Sequence, residues 1–234
     1  RIGEGRYDVE VAVRSQDEIG QLAATLNSMQ FEIAEREHRL VHQAHHDDLT
    51  GLPNRWLAQD RLQGAIHRAR RACRPFTVVL LDMARFKQIN DSLGHHVGDV
   101  VLKEIARRLV ARARRSDTVA RLGGDDFLLL LEATDAIQAR VMLGVLRDAL
   151  TQPIELEGMS VALDFRAGLA SFPDHGEDAS ALMRRAEIAM YAAKAQFTGL
   201  KAYKPELETA QLATLSMLTE LQHAIENDHL RLYL

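Results

Sequence analysis

Arg121-Leu122-Gly123-Gly124-Asp125-Asp126-Phe127, preceded by Thr118-Val119-Ala120 and followed by Leu128 to Leu131, is the stretch that decides the fold. Two apolar runs joined by Gly-Gly-Asp-Asp predict a β-hairpin over about 118–132. Gly123 and Gly124 permit positive φ and let a ligand approach bare backbone. Two carboxylates at such a tip repel each other unless a cation or a basic partner joins them. A divalent metal carrying phosphate oxygens is the usual partner for such ligands. A solvated acidic turn has the same residues, and the stretch alone does not separate the two readings.

Working outward, Thr77 to Met83 is a short apolar run that predicts a buried strand with Asp82 at its C-terminal end. In α/β sheets chemistry gathers at such ends. A helix is expected over about 55–71, a short apolar stripe at Phe86, Ile89 and Leu93, a loop bracketed by Gly94 and Gly98, and a helix over 100–115. Lys103, Arg107, Arg108, Arg112, Arg114 and Arg115 make that last helix basic, a pattern shared with any solvated face. Beyond the hairpin come a helix over about 134–150, a break at Pro153, a turn at Glu157-Gly158 and a long strand from Val161 to Phe172. A loop at 173–177, a helix over 179–196, an edge strand at 201–203 and a helix over 207–226 follow.

Upstream, Ile19, Leu22, Leu26, Met29, Ile33 and Leu40 alternate three- and four-residue steps, with Arg36 filling one slot. That is a heptad seam, suited to a parallel coiled coil or to one amphipathic helix packed on its own domain. His42, His45 and His46 beside Asp47 and Asp48 are close in sequence, but nothing fixes them on one face as metal ligands.

The chain has 234 residues, 47% hydrophobic and 26% charged, enough for one full domain with flanking pieces. A net charge of −4 argues against nonspecific nucleic-acid binding. The single cysteine, Cys73, rules out an internal disulfide and fits a reducing compartment. No apolar run approaches the ~20 residues needed to span a bilayer. The chain opens at Arg1 and stops mid-pattern at Leu234, so it reads as a fragment.

The signature heptapeptide resembles that of the GGDEF family, the diguanylate cyclase domains of bacterial signalling. Three further segments carry the resemblance in the family's order: Asp47 to Arg55 (DDLTGLPNR), Asp82 to Asp99 (DMARFKQINDSLGHHVGD) and Ala186 to Lys194 (AEIAMYAAK). The resemblance implies an α/β fold: a mainly antiparallel sheet flanked by helices, related to the nucleotidyl cyclase palm. An N-terminal coiled-coil helix and a C-terminal linker helix are expected beside it. It also implies site residues. Asp82 and Asp125, with the Met83 carbonyl, correspond to ligands of Mg²⁺ (or Mn²⁺). Asn90 and Asp99 correspond to the guanine-reading pair, Lys87 and Lys194 to the cations near the phosphates, and Asp126 to the acidic residue that activates the 3′-hydroxyl. Phe86, Gly123 and Gly124 complete the GTP-binding set. Arg114 and Asp117 match an Arg-x-x-Asp product-inhibition motif that binds cyclic di-GMP.

Around that domain, Asp17-Glu18-Ile19-Gly20 and the spacing after it resemble the second half of a HAMP linker. Leu221 to Glu226 leading to Leu230-Arg231-Leu232-Tyr233 resembles the opening of an EAL phosphodiesterase domain. The organisation expected is a HAMP remnant and signalling helix at 1–40, a GGDEF domain at 41–204, and a linker helix with the first EAL strand at 205–234. The resemblances imply the cytoplasmic part of an inner-membrane protein, a homodimer through the N-terminal helix and a fused EAL domain. Three departures bear on activity. Asp126 replaces the family's Glu, Ala84 stands where a second Asp is usual, and Thr198 stands where the family has an Arg. The binding residues survive better than the catalytic ones, so the expectation is a partly eroded cyclase that binds GTP and regulates the EAL domain. The alternative is an active cyclase under product inhibition.

Overall fold

The computed structural model describes residues 18–156, 158–195 and 199–227. The chain divides into two units, Arg1–Asp48 and Leu49–Leu234. In the first, α1 (Glu18–His45) is a continuous helix of 28 residues. Of its heptad positions, Met29, Ile33 and Leu40 are exposed and Leu26 is half-buried. The part of the expected HAMP remnant before Glu18 lies outside the described residues, as do Thr198 and the expected EAL strand at 230–234.

The second unit is built on a five-stranded sheet of order β2-β3-β1-β6-β7. β1 (Phe76–Ala84) is central, flanked by β3 (Asp126–Leu131) and β6 (Asp164–Phe172), both antiparallel to it. β2 (Thr118–Gly123) pairs with β3 in the predicted hairpin, and β7 (Leu200–Ala202) lies parallel to β6 at the edge. The mainly antiparallel α/β architecture expected from the resemblance is the one observed. Strand alternation sorts the core into two layers. Val79, Leu81 and Met83 pack with α4 (His95–Arg112) and α5 (Ala136–Leu150). Val78 and Leu80 pack with α2 (Arg55–Ala72) and α6 (Ala179–Ala195). By the same alternation Asp82 faces the α2/α6 side.

Local chemistry sets the element ends. Asn54 caps α2 by accepting from Leu57 N. Asp135 and Gln138 form a reciprocal capping box at the start of α5. α6 lies flush on the sheet because β6 carries Gly168. A Cβ there would stand 2.1 Å from the Ala186 carbonyl oxygen and 2.2 Å from Met190 N. α7 (Pro205–Glu226) docks on α6, where Tyr203 donates to Glu208 at 2.8 Å and Arg184 pairs with Glu208 at 2.7 Å.

Three sequence expectations need correction. The stretch 94–98 is not a loop: α4 begins at His95 and Gly98 lies inside it. Its far end stops at Arg112, so Arg114 and Arg115 are in the following turn. The strand expected from Val161 to Phe172 is two. Val161 closes β5 (Met159–Val161), which pairs only with β4 (Ile154–Leu156) in a separate ribbon. Buried Leu163 then turns the chain into β6.

Candidate functional site

The hairpin tip and the C-terminal end of β1 meet. Asp82 and Asp126 are direct partners in the β1–β3 ladder, so their side chains share one face with Cβ atoms about 5 Å apart. Asp125 lies between them and the glycines. Gly123 and Gly124 both have positive φ, +130° and +55°, and a Cβ on either would meet nothing within 4 Å. The open space beside them leaves bare backbone accessible. Arg121 holds the bend: its Nε and Nη2 donate to the Gly124 carbonyl at 3.0 and 2.7 Å, and its backbone N–H donates to the Pro53 carbonyl at 2.9 Å.

Three carboxylates at one sheet end require opposing charge. Lys194, on α6, supplies it by donating to Asp82 Oδ1 at 2.6 Å. Burial and then the charge of Asp82 push the Asp125 carboxyl above its ordinary value. Burial, Asp82 and Asp125 do the same to Asp126, against the pull of Lys194 and Arg55. Burial and mutual repulsion thus both favour a cation joining these carboxylates.

A second group sits on α3 (Phe86–Leu93) and the start of α4. α3 begins where the strand ends, through Arg85 at φ +65°. Phe86 is buried in the core and Lys87 is exposed. The two helices cross at Gly98, where a Cβ would stand 1.9 Å from Asn90 Oδ1 and 3.1 Å from the Phe86 ring. Asn90 Oδ1 is buried with no hydrogen-bond partner among the described residues, and Asp99, the residue after Gly98, is exposed. An unpaired buried amide oxygen is costly, and such groups in native structures call for a functional account.

Arg114 and Asp117 occupy the turn after α4. The Asp117 carboxylate accepts from Arg114 N at 2.9 Å and from Glu132 N at 3.2 Å, so it organises the turn. A carboxylate has about four acceptor positions, which leaves room for a ligand. Two of the basic residues of α4 prove structural. Arg107 and Arg108 both pair with Glu104 at 2.7 Å, and Arg108 also donates to the Ala149, Leu150, Gln152 and Pro153 carbonyls.

Among the described residues no three His, Cys, Asp or Glu side chains are placed to hold a metal ion together. The site offers instead the two carboxylates of Asp82 and Asp125 and the backbone at Met83. Hard oxygen donors with uncompensated negative charge fit Mg²⁺ that completes its shell with water and phosphate oxygens. Two contributors escaped the sequence reading. Arg121 belongs to the quoted stretch, and a basic residue just before a glycine turn was the available signal. Arg55 closes the DDLTGLPNR motif, whose reading was mostly structural, yet its charge acts on Asp126.

The family model for the diguanylate cyclase GGDEF domain matches residues 44–199, and the HAMP domain model matches residues 1–35. The bifunctional diguanylate cyclase/cyclic di-GMP phosphodiesterase MucR of Pseudomonas aeruginosa is 37% identical over 214 residues, 91% of this chain and 31% of MucR. Diguanylate cyclase TpbB of the same species is 40% identical over 186 residues, 78% of this chain and 42% of TpbB. The chain therefore spans less than half the length of either relative. The solved GGDEF domain of TpbB is 37% identical, with a TM-score of 0.70, over 72% of this chain and 99% of that one. The coiled coil and GGDEF domain of DgcB from Caulobacter crescentus, solved with c-di-GMP, is 25% identical, with a TM-score of 0.71, over 80% of this chain and all of that one. Family match, sequence identity and shared fold agree: the chain belongs to the diguanylate cyclase GGDEF family.

Proposed function

We propose that this domain, residues 41–204, binds GTP with Mg²⁺ (or Mn²⁺) and cyclic di-GMP, has a weakened cyclase site, and regulates an EAL phosphodiesterase fused after residue 205. The reading rests on Asp82 under Lys194 with Asp126 in register across from it, and is supported by the buried Asn90 oxygen that has no partner among the described residues.

In this reading Asn90 and Asp99 hold the guanine edge, Asp99 accepting from N1–H and the exocyclic amine. Phe86 anchors α3, Lys87 and Lys194 face the phosphates, and the bare backbone of Gly123 and Gly124 lets the nucleotide close in. Asp82, Asp125 and the Met83 carbonyl would hold the metal, which would neutralise charge developing on the phosphates. Asp126 accepts the proton of the 3′-hydroxyl as that oxygen attacks the α-phosphorus of a second GTP and diphosphate leaves. One domain holds one GTP, so two must face each other. The α1 heptad positions supply the homodimer, and the HAMP-like segment before it joins that dimer to a membrane sensor, a reading that the HAMP match over residues 1–35 supports. Among the described residues no helix is long and apolar enough to cross a membrane.

Asp126 reaches roughly 1.5 Å less far than Glu. A misplacement of ~1 Å costs about a hundredfold in rate, which is why binding outlasts turnover. A second reading, an active cyclase with product inhibition, is favoured by the position of Asp126 beside Asp82 and by the Arg114–Asp117 turn. Calorimetry with GTP and Mg²⁺, followed by a product assay, tests both. Binding with little product supports the first reading, steady cyclic di-GMP formation the second, and absence of binding refutes both.

A further inference from the structure

α5 turns an apolar row outward. Ile137, Val141 and Val145 succeed one another at four-residue steps and are 77, 68 and 56% exposed. That spacing stacks them on one side of the helix. Single exposed apolar residues need no explanation, but a contiguous row of them does. All three are β-branched and poor helix formers, so local propensity does not account for them. Gly144 lies between Val141 and Val145 on the same exposed side, and a Cβ there would meet nothing within 4 Å. No neighbour in the domain requires glycine at this position, although glycine weakens a helix interior more than any residue except proline. Glycine on an exposed helix face permits a second backbone to come nearer than the usual ~8–10 Å between helix axes.

The charges choose the occupant. Arg140 and Asp148 border the row, and both are exposed. Eight residues apart, they stand about 12 Å from each other along the helix, too far to pair. Each is four positions from Gly144, one on either side. A second α5 laid antiparallel over the first, with its two-fold axis at Gly144, sets each Arg140 opposite Asp148 of the other copy. The charges of this face are self-complementary, as an isologous contact requires.

We propose that this surface of α5 is a contact between two copies of this chain, crossing antiparallel at Gly144. One helix face per copy buries less than the ~1,200 Å² of a stable specific interface. The contact is therefore weak between free domains and populated between tethered ones. It is independent of the nucleotide reading, because no residue of it belongs to the GTP site.

Gly144→Cys in a Cys73→Ser background tests it on the full chain under mild oxidation. Two α-carbons facing each other at a glycine crossing fall within the ~4.4–6.8 Å that a disulfide spans. A disulfide-linked dimer is expected. In that background Arg140→Asp or Asp148→Arg lowers the yield about tenfold, and the two together restore it. Val141→Lys, at an exposed site, lowers it with the thermal midpoint and GTP calorimetry unchanged. Absence of the cross-link, failure of the double charge swap to restore it, or cross-linking only when cyclic di-GMP is added overturns the proposal.

Discussion

Gly98 lacks a side chain because Asn90 already fills the space a methyl would take. A Cβ at this position would stand 1.9 Å from Asn90 Oδ1, so Gly98→Ala must drive the amide away. The Asn90 amide is the tip of a side chain and can swing aside, so the fold survives while the base contact proposed for Asn90 is lost. GTP affinity is expected to fall about tenfold, in line with one hydrogen bond to a polar base edge. Calorimetry against GTP and ATP checks it, since only the GTP value should move. Asp126→Glu makes the opposite test. Restoring the methylene is expected to raise cyclic di-GMP formation by about ten- to a hundredfold with GTP affinity unchanged. An unchanged rate overturns the proposal that the shorter Asp126 weakens the site. At this scale the sequence was legible where a motif carries position: Asp82, Asp125 and Asp126 were candidates from their place at a strand end and a glycine bend. The Lys194–Asp82 pair, separated by 112 positions in the chain, was legible only as a cation somewhere near phosphate. Periodicity does not report which long side chain reaches across a sheet.

Among elements, α4 illustrates how a face of charge becomes a brace. Arg107 first and Arg108 after it, through hydrogen bonds, hold the Glu104 carboxyl at about 2, against the opposing effect of burial. Its folded value is depressed, so its contribution is complete above the ordinary carboxylate range and is lost as pH falls toward about 2. Glu104→Gln is expected to lower stability at pH 7 by about 1–2 kcal/mol, discounted because Arg107 is largely exposed. Urea unfolding across pH checks this, because the difference should shrink between about pH 4.5 and pH 2. The hairpin, β1, α2, α6 and α7 were all readable from periodicity and turn residues. The start of α4 was not, because Gly94 and Gly98 look like loop punctuation. Gly94 does end α3, whereas Gly98 is a close-approach glycine inside a helix, and only the Asn90 side chain distinguishes the two. The Val161–Phe172 error has a similar origin: alternation continues through Leu163 although its ladder partners change from β4 to β1.

For the molecule as a whole, the proposed chemistry needs two nucleotides and therefore two chains. Product formed per chain is expected to fall as the protein is diluted through the dissociation range of its dimer, while GTP bound per chain stays constant. Sedimentation velocity beside the product assay measures both, and a rate per chain independent of dilution would exclude a two-chain site. The sequence conveyed this scale through resemblance: the HAMP-like start and the GGDEF motifs were each read from a handful of spaced residues. The α5 face was not legible, since Ile137, Val141 and Val145 follow the same four-residue rhythm as a buried stripe. Only their exposure reveals them as outward.

The bare strand position at Gly168 reaches further than its local packing. It seats α6 directly on the sheet, and one turn beyond Met190 the same helix carries Lys194. The outer side of that helix is gripped by α7 through Glu208. Arg184 and Lys194 therefore ride on one helix, so a shift of α7 handed to α6 through Glu208 would be felt at the ammonium beside Asp82.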